Sequence, residues 1–316
     1  MKASPSRLFL WIFMAMALGA IIAGVYLDGS QTPISEVAVP GKPAEVTGFS
    51  APSTTSNPRP LTLTAHAPNQ TPPKPPVTAK LPTHLVRPKI AILIDDVGLR
   101  RDVLDPFWSI PEVHGRLSWA IIPGTQFANE LGQDLADKNE CILAHIPMEP
   151  TDRNQVTPTL GNYLMVDSDA PAIQQELRRR MAAFDPKIRT SITGLSNHQG
   201  SRFTADVQGM RTLLTFLAKE NLFFVDSRTN SRTVGTRIAK KMGVPVAERQ
   251  VFLDNTREVS AIEAQLDELL LRAQQDGKAI GIGHPYAETA RALARWIRRH
   301  KDAFELVPVS ELLSRE

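Results

Sequence analysis

The stretch Lys89-Ile90-Ala91-Ile92-Leu93-Ile94-Asp95-Asp96-Val97-Gly98 decides the fold. A short apolar run bounded by polar and turn residues reads as a buried strand, and this one ends on two adjacent carboxylates. Three more runs share the form. Cys141–Ala144 leads to His145, Ile192–Leu195 to Asn197-His198, and Ala279–Ile282 to His284. In parallel α/β sheets, ligands bind beyond the carboxyl ends of strands. Two carboxylates and three imidazoles on four such ends can share one mouth, as a metal or acid–base site spread over a barrel rim.

Further strand-like runs lie at Leu117–Ile122, Leu222–Val225, Val251–Leu253 and Phe304–Val307. Helical patterns alternate with many of them. Ser168 can cap a helix carrying Ile173, Leu177, Met181 and Phe184. Thr204 can cap one carrying Val207, Met210, Leu214 and Leu217. Ser260 with Glu263 forms a capping box before Leu266, Leu269 and Leu270, and Gly277 follows as a stop. Alternating β and α argues for a parallel sheet with helices outside. About seven or eight strands in roughly 225 residues fit a barrel-like α/β domain.

The first 88 residues have another character. Leu8–Leu27 is apolar and carries no charge before its end, and roughly 20 residues are long enough to span a bilayer. Lys2 and Arg7 precede it, which places the N-terminus in the cytoplasm and exports the rest. Residues 1–28 therefore read as a signal anchor, with a cleaved signal peptide as the rival because Ala20 and Ala23-Gly24 supply small residues. Residues 29–88 hold about half of the 25 prolines and a single aromatic, Phe49. Such a segment buries too little apolar surface to offset its ordering entropy and reads as a Pro-rich tether. The expected location is the periplasm, anchored to the inner membrane or released, with the membrane as a partner of the N-terminal segment.

The net charge is only +3, from 36 basic and 33 acidic residues. The basic residues, such as Arg178-Arg179-Arg180 and Arg295 to Lys301, fall on helical patterns. They read as solvated helix faces, not as a nucleic-acid surface. Cys141 is the only cysteine, so no intrachain disulfide forms. It sits in an apolar run and reads as an inert core residue. His114 and His300 lack a strand-end setting and read as surface residues.

Adjacent carboxylates at a strand end are costly unless a cation or proton is shared, so Asp95 and Asp96 point to a ligand beside a base, an Asx turn being the plainer alternative. His145 emerges from a buried strand and needs a partner; a core histidine held by a backbone carbonyl is the default. In Asn197-His198-Gln199-Gly200-Ser201-Arg202, an imidazole follows a strand among hydrogen-bonding side chains. His284, between Gly283 and Pro285, is placed for general acid work. Asp226 closes another strand and can orient a histidine or a substrate. An Asp/His/His set with open positions is typical of a catalytic divalent site, and Zn²⁺ suits two imidazoles.

The strings Ile94-Asp95-Asp96-Val97-Gly98, His145-Ile146-Pro147-Met148-Glu149-Pro150, Ser196-Asn197-His198-Gln199-Gly200-Ser201, Phe224-Val225-Asp226-Ser227 and Gly283-His284-Pro285 resemble the divergent polysaccharide deacetylase family, a branch of the carbohydrate esterases. The resemblance covers residues 89–316. It implies a distorted (β/α) barrel of about seven parallel strands with a Zn²⁺-dependent hydrolase site. By matched position, Asp95 is the base, Asp96 with His145 and His198 holds the metal, and His284 is the acid. Asn197, Ser201, Arg202 and Asp226 are left to contact substrate or orient ligands. The wider superfamily carries two histidines four apart in its second motif. Here His145 is followed four residues later by Glu149, and His198 stands in from the next strand. The implied activity is removal of acetyl groups from an N-acetylated envelope glycan. Hydrolysis of another amide or ester bond, or a non-catalytic glycan- or partner-binding protein on the same barrel, are the alternatives.

Overall fold

The computed structural model describes residues 87–314, so the anchor and nearly all of the Pro-rich tether lie outside the described residues. Among the described residues, no helix is long and apolar enough to cross a membrane. The strands are β1 (Lys89–Val97), β2 (Ser118–Ile121), β3 (Cys141–Met148), β4 (Ile192–Gln199), β5 (Phe223–Asp226), β6 (Val246–Glu248), β7 (Val251–Phe252), β8 (Lys278–Gly283) and β9 (Glu305–Leu306). The helices are α1 (Asp105–Trp108), α2 (Ala128–Asp137), α3 (Ala170–Ala182), α4 (Pro186–Ser191), α5 (Val207–Glu220), α6 (Gly235–Met242), α7 (Val259–Asp276) and α8 (Ala287–His300).

Hydrogen bonding runs in the order β6-β5-β4-β3-β2-β1-β8-β7, with β9 added beside β1. Every ladder between these strands is parallel. The result is a curled half-barrel of eight parallel strands in one order, with β9 beside β1, where the sequence implies a distorted barrel of about seven. The strand absent from the sequence reading is β6. It has three residues, follows Pro245 and ends on Glu248, so it carries too little apolar pattern to stand out.

The two faces of the sheet follow the period of two. Ile90, Ile92 and Ile94 face the helices, while Ala91 and Leu93 line the inside with Leu143, Phe223, Val225, Ile280 and Ile282. The C-terminal tail closes the inner face at the amino ends of the strands, where Val307, Val309 and Leu312 join the inner cluster. Bonds to β2, β6 and β8 hold the tail in place. Val309 N–H donates to Ser118 Oγ at 2.9 Å, Lys278 Nζ donates to Leu312 O at 3.0 Å, and an antiparallel bridge pairs Val246 with Ser314.

Several local expectations shift by a residue or two. Asp169, not Ser168, caps α3 through Ala172 N–H, and Asp206, not Thr204, caps α5 through Gly209 N–H. A carboxylate is the stronger acceptor at a helix N-terminus, where the dipole favours negative charge. Ser260 lies inside α7, which starts after Glu258 without a side-chain cap, while Gly277 ends it in the left-handed conformation as expected. Arg180 leaves the solvated face: it is 2% exposed and donates to the carbonyls of Pro123, Leu160 and Asn162. Cys141 is half-buried rather than sealed in the core. His114 is exposed, as expected, and lies 3.0 Å from the Trp108 carbonyl.

Candidate metal centre and flanking acid–base groups

The inner phase of four strands delivers the site. Ala91 and Leu93 lead to Asp95, Leu143 to His145, Gly194 and Ser196 to His198, and Ile280 and Ile282 to His284. Asp96 falls on the opposite phase, yet it reaches the same mouth. The β1–β2 register shifts between Ile94 and Val97, and Asp96 adopts φ +59°. This irregularity brings neighbouring carboxylates to one side, and a left-handed non-glycine residue is the kind of strain found at functional sites. Gly98, at φ +110°, completes the exit from β1; a Cβ there would meet Thr125 Oγ1 at 2.3 Å.

Asp96 is the hub. Its Oδ1 lies 2.7 Å from His198 Nδ1 and 3.2 Å from His145 Nε2, and its Oδ2 lies 3.6 Å from His284 Nε2. Asp96, His145 and His198 each offer a ligand atom within 4.8 Å of the others. The β3–β4 ladder explains the pairing, because Pro147 sits opposite His198 and His145 opposite Ser196. Ser196 Oγ lies 2.7 Å from His145 Nδ1 and fixes the ring, leaving Nε2 toward Asp96. Burial opposes ionisation of Asp96, but the bonds and charges of His145 and His198 outweigh it and hold the carboxyl well below its usual range.

One carboxylate and two imidazoles are a donor set suited to Zn²⁺ or a similar divalent ion. Asp95 strengthens the fit. It is buried, its Oδ2 is 3.7 Å from His145 Nε2, and its Oδ1 has no hydrogen-bond partner among the described residues. A buried acceptor left unpaired costs free energy, so an additional proton or cation at this point relieves it. Burial, with the Asp96 charge adding and the histidines opposing, pushes the Asp95 pKa up to about 6.

His284 also reaches this group from the end of β8, with Nε2 3.6 Å from Asp96 Oδ2. Its Nδ1 is 2.9 Å from Asp254 Oδ1, and its backbone N–H donates to Asp254 Oδ2 at 2.6 Å. Thr289 Oγ1 donates to the same Oδ2 at 2.7 Å. A Cβ at Gly283 would sit 3.1 Å from Asp254 Oδ2, so glycine permits this close approach. Burial pulls the imidazole pKa down, but the Asp254 bond and the charges of Asp254, Asp96 and Asp95 leave it raised.

The sequence reading did not single out Asp254, although it follows the Val251–Leu253 run in the same manner as the other site residues. It also did not single out Arg249. That guanidinium donates to the carbonyls of Ser227 and Arg228 at 2.7 and 2.9 Å and lies 5.2 Å from the Phe252 ring centroid. Burial and the Arg228 charge lower its pKa, while the charges of Asp226 and Asp95 oppose them.

The four orienting candidates separate. Asn197 braces the rim: Oδ1 accepts from Ser227 N–H at 2.9 Å, and Nδ2 donates to Gln199 O at 2.7 Å. Asp226 falls on the helix-facing phase of β5, where it accepts from Thr233 Oγ1 and Arg228 N–H rather than from a histidine. Ser201 Oγ accepts from Thr151 N–H at 2.8 Å. Arg202 donates to buried Glu149, which also accepts from Arg153 and Val166 N–H. Glu149 therefore braces loops instead of joining the three ligand groups. Ser201 and Arg202 also line a rim cavity of about 470 Å³ with Asn230 and Arg232.

Residues 92–313 match the divergent polysaccharide deacetylase family. An uncharacterised protein of Haemophilus influenzae is 32% identical over 228 residues, covering 72% of this chain and 78% of its own. The uncharacterised protein YibQ of Escherichia coli K12 is 30% identical over 226 residues, covering 72% of this chain and 67% of its own. The crystal structure of an uncharacterised protein from Agrobacterium tumefaciens is similar at a TM-score of 0.65 and 25% identity, covering 72% of this chain and 89% of that one. A family match spanning β1 to the C-terminal tail encloses every residue of the site, and the chain belongs to the divergent polysaccharide deacetylase family.

Proposed function

We propose that the protein is a metal-dependent hydrolase that removes acetyl groups from an N-acetylated envelope glycan. The observation that carries this reading is the placement of two proton-handling groups against one ligand set. Asp95 Oδ2 lies 3.7 Å from His145 Nε2, and His284 Nε2 lies 3.6 Å from Asp96 Oδ2. Asp96, His145 and His198 would hold the ion, which when bound supplies a Lewis acid that polarises an acyl carbonyl and favours ionised water.

The chain's own residues supply the rest. Asp95, as the carboxylate, takes the proton of the attacking water. His284, as the imidazolium, gives a proton from Nε2 to the leaving nitrogen, so the amide C–N bond breaks to acetate and a free amine. Asp254 keeps His284 charged and oriented, and Ser196 keeps His145 in register. Ser201 and Arg202, which line the rim cavity, would meet sugar hydroxyls. The apolar N-terminal segment and its proline-rich tether support a periplasmic domain anchored to the inner membrane. Acetate release from N-acetylated glycan oligomers, measured with and without added Zn²⁺, tests the reading: release that needs the metal supports it, and no release from any such oligomer removes it.

A further inference from the structure

The segments that follow β1, β7 and β8 line an open cavity of about 430 Å³, with Arg100, Arg101, Arg257 and Tyr286 in its lining. Tyr286 stacks on His284, with ring centroids 5.3 Å apart and planes inclined by 24°. The Arg257 guanidinium carbon is 3.6 Å from the Tyr286 centroid. Imidazole, phenol ring and guanidinium thus lead in one series from the reacting centre into the cavity. Arg100 reaches the same wall and donates to Pro285 O at 3.2 Å.

The charge balance there is positive. Arg101 is paired with Glu130, and Glu288 in the same lining is paired with Arg291. Among the described residues, the lining charges left without an ion pair are Arg100 and Arg257 on one side and Asp102 on the other. The first N–H groups of α8, which begins without a side-chain cap, add to the positive end. A guanidinium held by its face on a ring keeps its N–H edge available, and that edge matches a carboxylate or phosphate. The proposed hydrolysis of an acetamido group uses none of these cations.

We infer that this cavity receives an anionic substituent of the glycan, a carboxylate or phosphate carried within about one sugar of the acetamido group. The inference rests on the deacetylase reading and narrows its substrate class from neutral to acidic N-acetylated glycans. Equilibrium binding by the full-length Asp95→Asn variant loaded with Zn²⁺, which holds the metal without turnover, tests it with three probes of equal length. These are neutral N-acetylglucosamine oligomers, oligomers in which alternate sugars carry a 3-O-lactyl carboxylate, and oligomers carrying one phosphate. At least one charged probe should bind about tenfold more tightly than the neutral one, and which probe does so identifies the anion. Arg257→Gln should weaken that probe about tenfold and leave the neutral one unchanged, because a hydrogen bond to a charged group is worth about that factor. Added salt should weaken the charged probe alone. Arg272→Gln, on α7 and paired with Glu268, is the control and should change nothing. Equal binding of charged and neutral probes, or an Arg257→Gln effect on both alike, overturns the inference and leaves deacetylation standing. Failure of every probe to bind overturns both.

Discussion

Replacing Asp254 by Asn isolates the control of the acid. The carboxylate is fully buried and makes three bonds: Oδ2 accepts from His284 N–H and Thr289 Oγ1, and Oδ1 meets His284 Nδ1 at 2.9 Å. An Asn oxygen can keep the two bonds at Oδ2. Its amide nitrogen then faces His284 Nδ1, which must become an acceptor. The imidazolium loses its counter-charge, and a neutral ring is a poor acid. We expect kcat/KM for acetate release to fall about 10²–10⁴-fold near neutral pH, the usual worth of a positioned acid. The sign on pH follows from the raised pKa of His284. The acid works while protonated, so activity is lost as pH rises through its pKa, and Asp254→Asn should move this basic limb to lower pH. The same raised pKa stabilises the fold below the unfolded imidazole value and is lost as pH rises through the folded one, so the variant should also lose that stabilisation. Losing one charge-assisted buried bond costs about 2 kcal/mol in thermal or denaturant unfolding. The assay is a pH–rate profile with NMR titration of the His284 ring. A basic limb and ring titration unchanged in the variant would refute this role for Asp254.

His198→Ala should cut divalent-metal affinity at least about tenfold, as measured by competition with a chelating dye, whereas His114→Ala should not. Asp95→Asn should retain metal and lose hydrolysis, while Asp96→Asn should lose both; the reverse pattern in metal content exchanges their roles. In the metal-free protein, Asp95 binds its proton more tightly folded than unfolded, so its contribution to stability should rise as pH falls from about 6 toward 3.8, by about 3 kcal/mol at about 1.4 kcal/mol per pH unit. Asp95→Asn should abolish that contribution, and urea midpoints of the two proteins across the window would show it. A reporter fused after Glu316 should be active only in a form that requires export; cytoplasmic activity would remove the anchor reading.

The strands were legible because their apolar runs are long and are bounded by polar or turn residues. The four runs that deliver Asp95, His145, His198 and His284 appear in the structure as β1, β3, β4 and β8. What escaped depends on features with little one-dimensional signal. The three-residue β6 has no run to read. The phase of Asp226 depends on counting from Val225 on the inner face, and strand-end position alone does not reveal it. The turn at Asp96 is a backbone conformation, and it decides whether two adjacent carboxylates share a face. Arg249 acts from the irregular segment before β7, a two-residue strand too short to show a period, whereas Asp254 carries the same strand-end signal as the other site residues, directly after the Val251–Leu253 run. Among the caps, aspartates one or two residues away outcompeted the hydroxyls of Ser168 and Thr204.

Acetate release by the full-length protein, followed through removal of metal with EDTA and its restoration with Zn²⁺, tests the central claim most directly. We predict release from an N-acetylated glycan that is abolished by EDTA, restored by Zn²⁺, and absent in Asp96→Asn under both conditions. A protein that holds one zinc ion per chain yet releases no acetate from any such glycan would contradict the claim, and would favour a glycan- or partner-binding role for the same barrel.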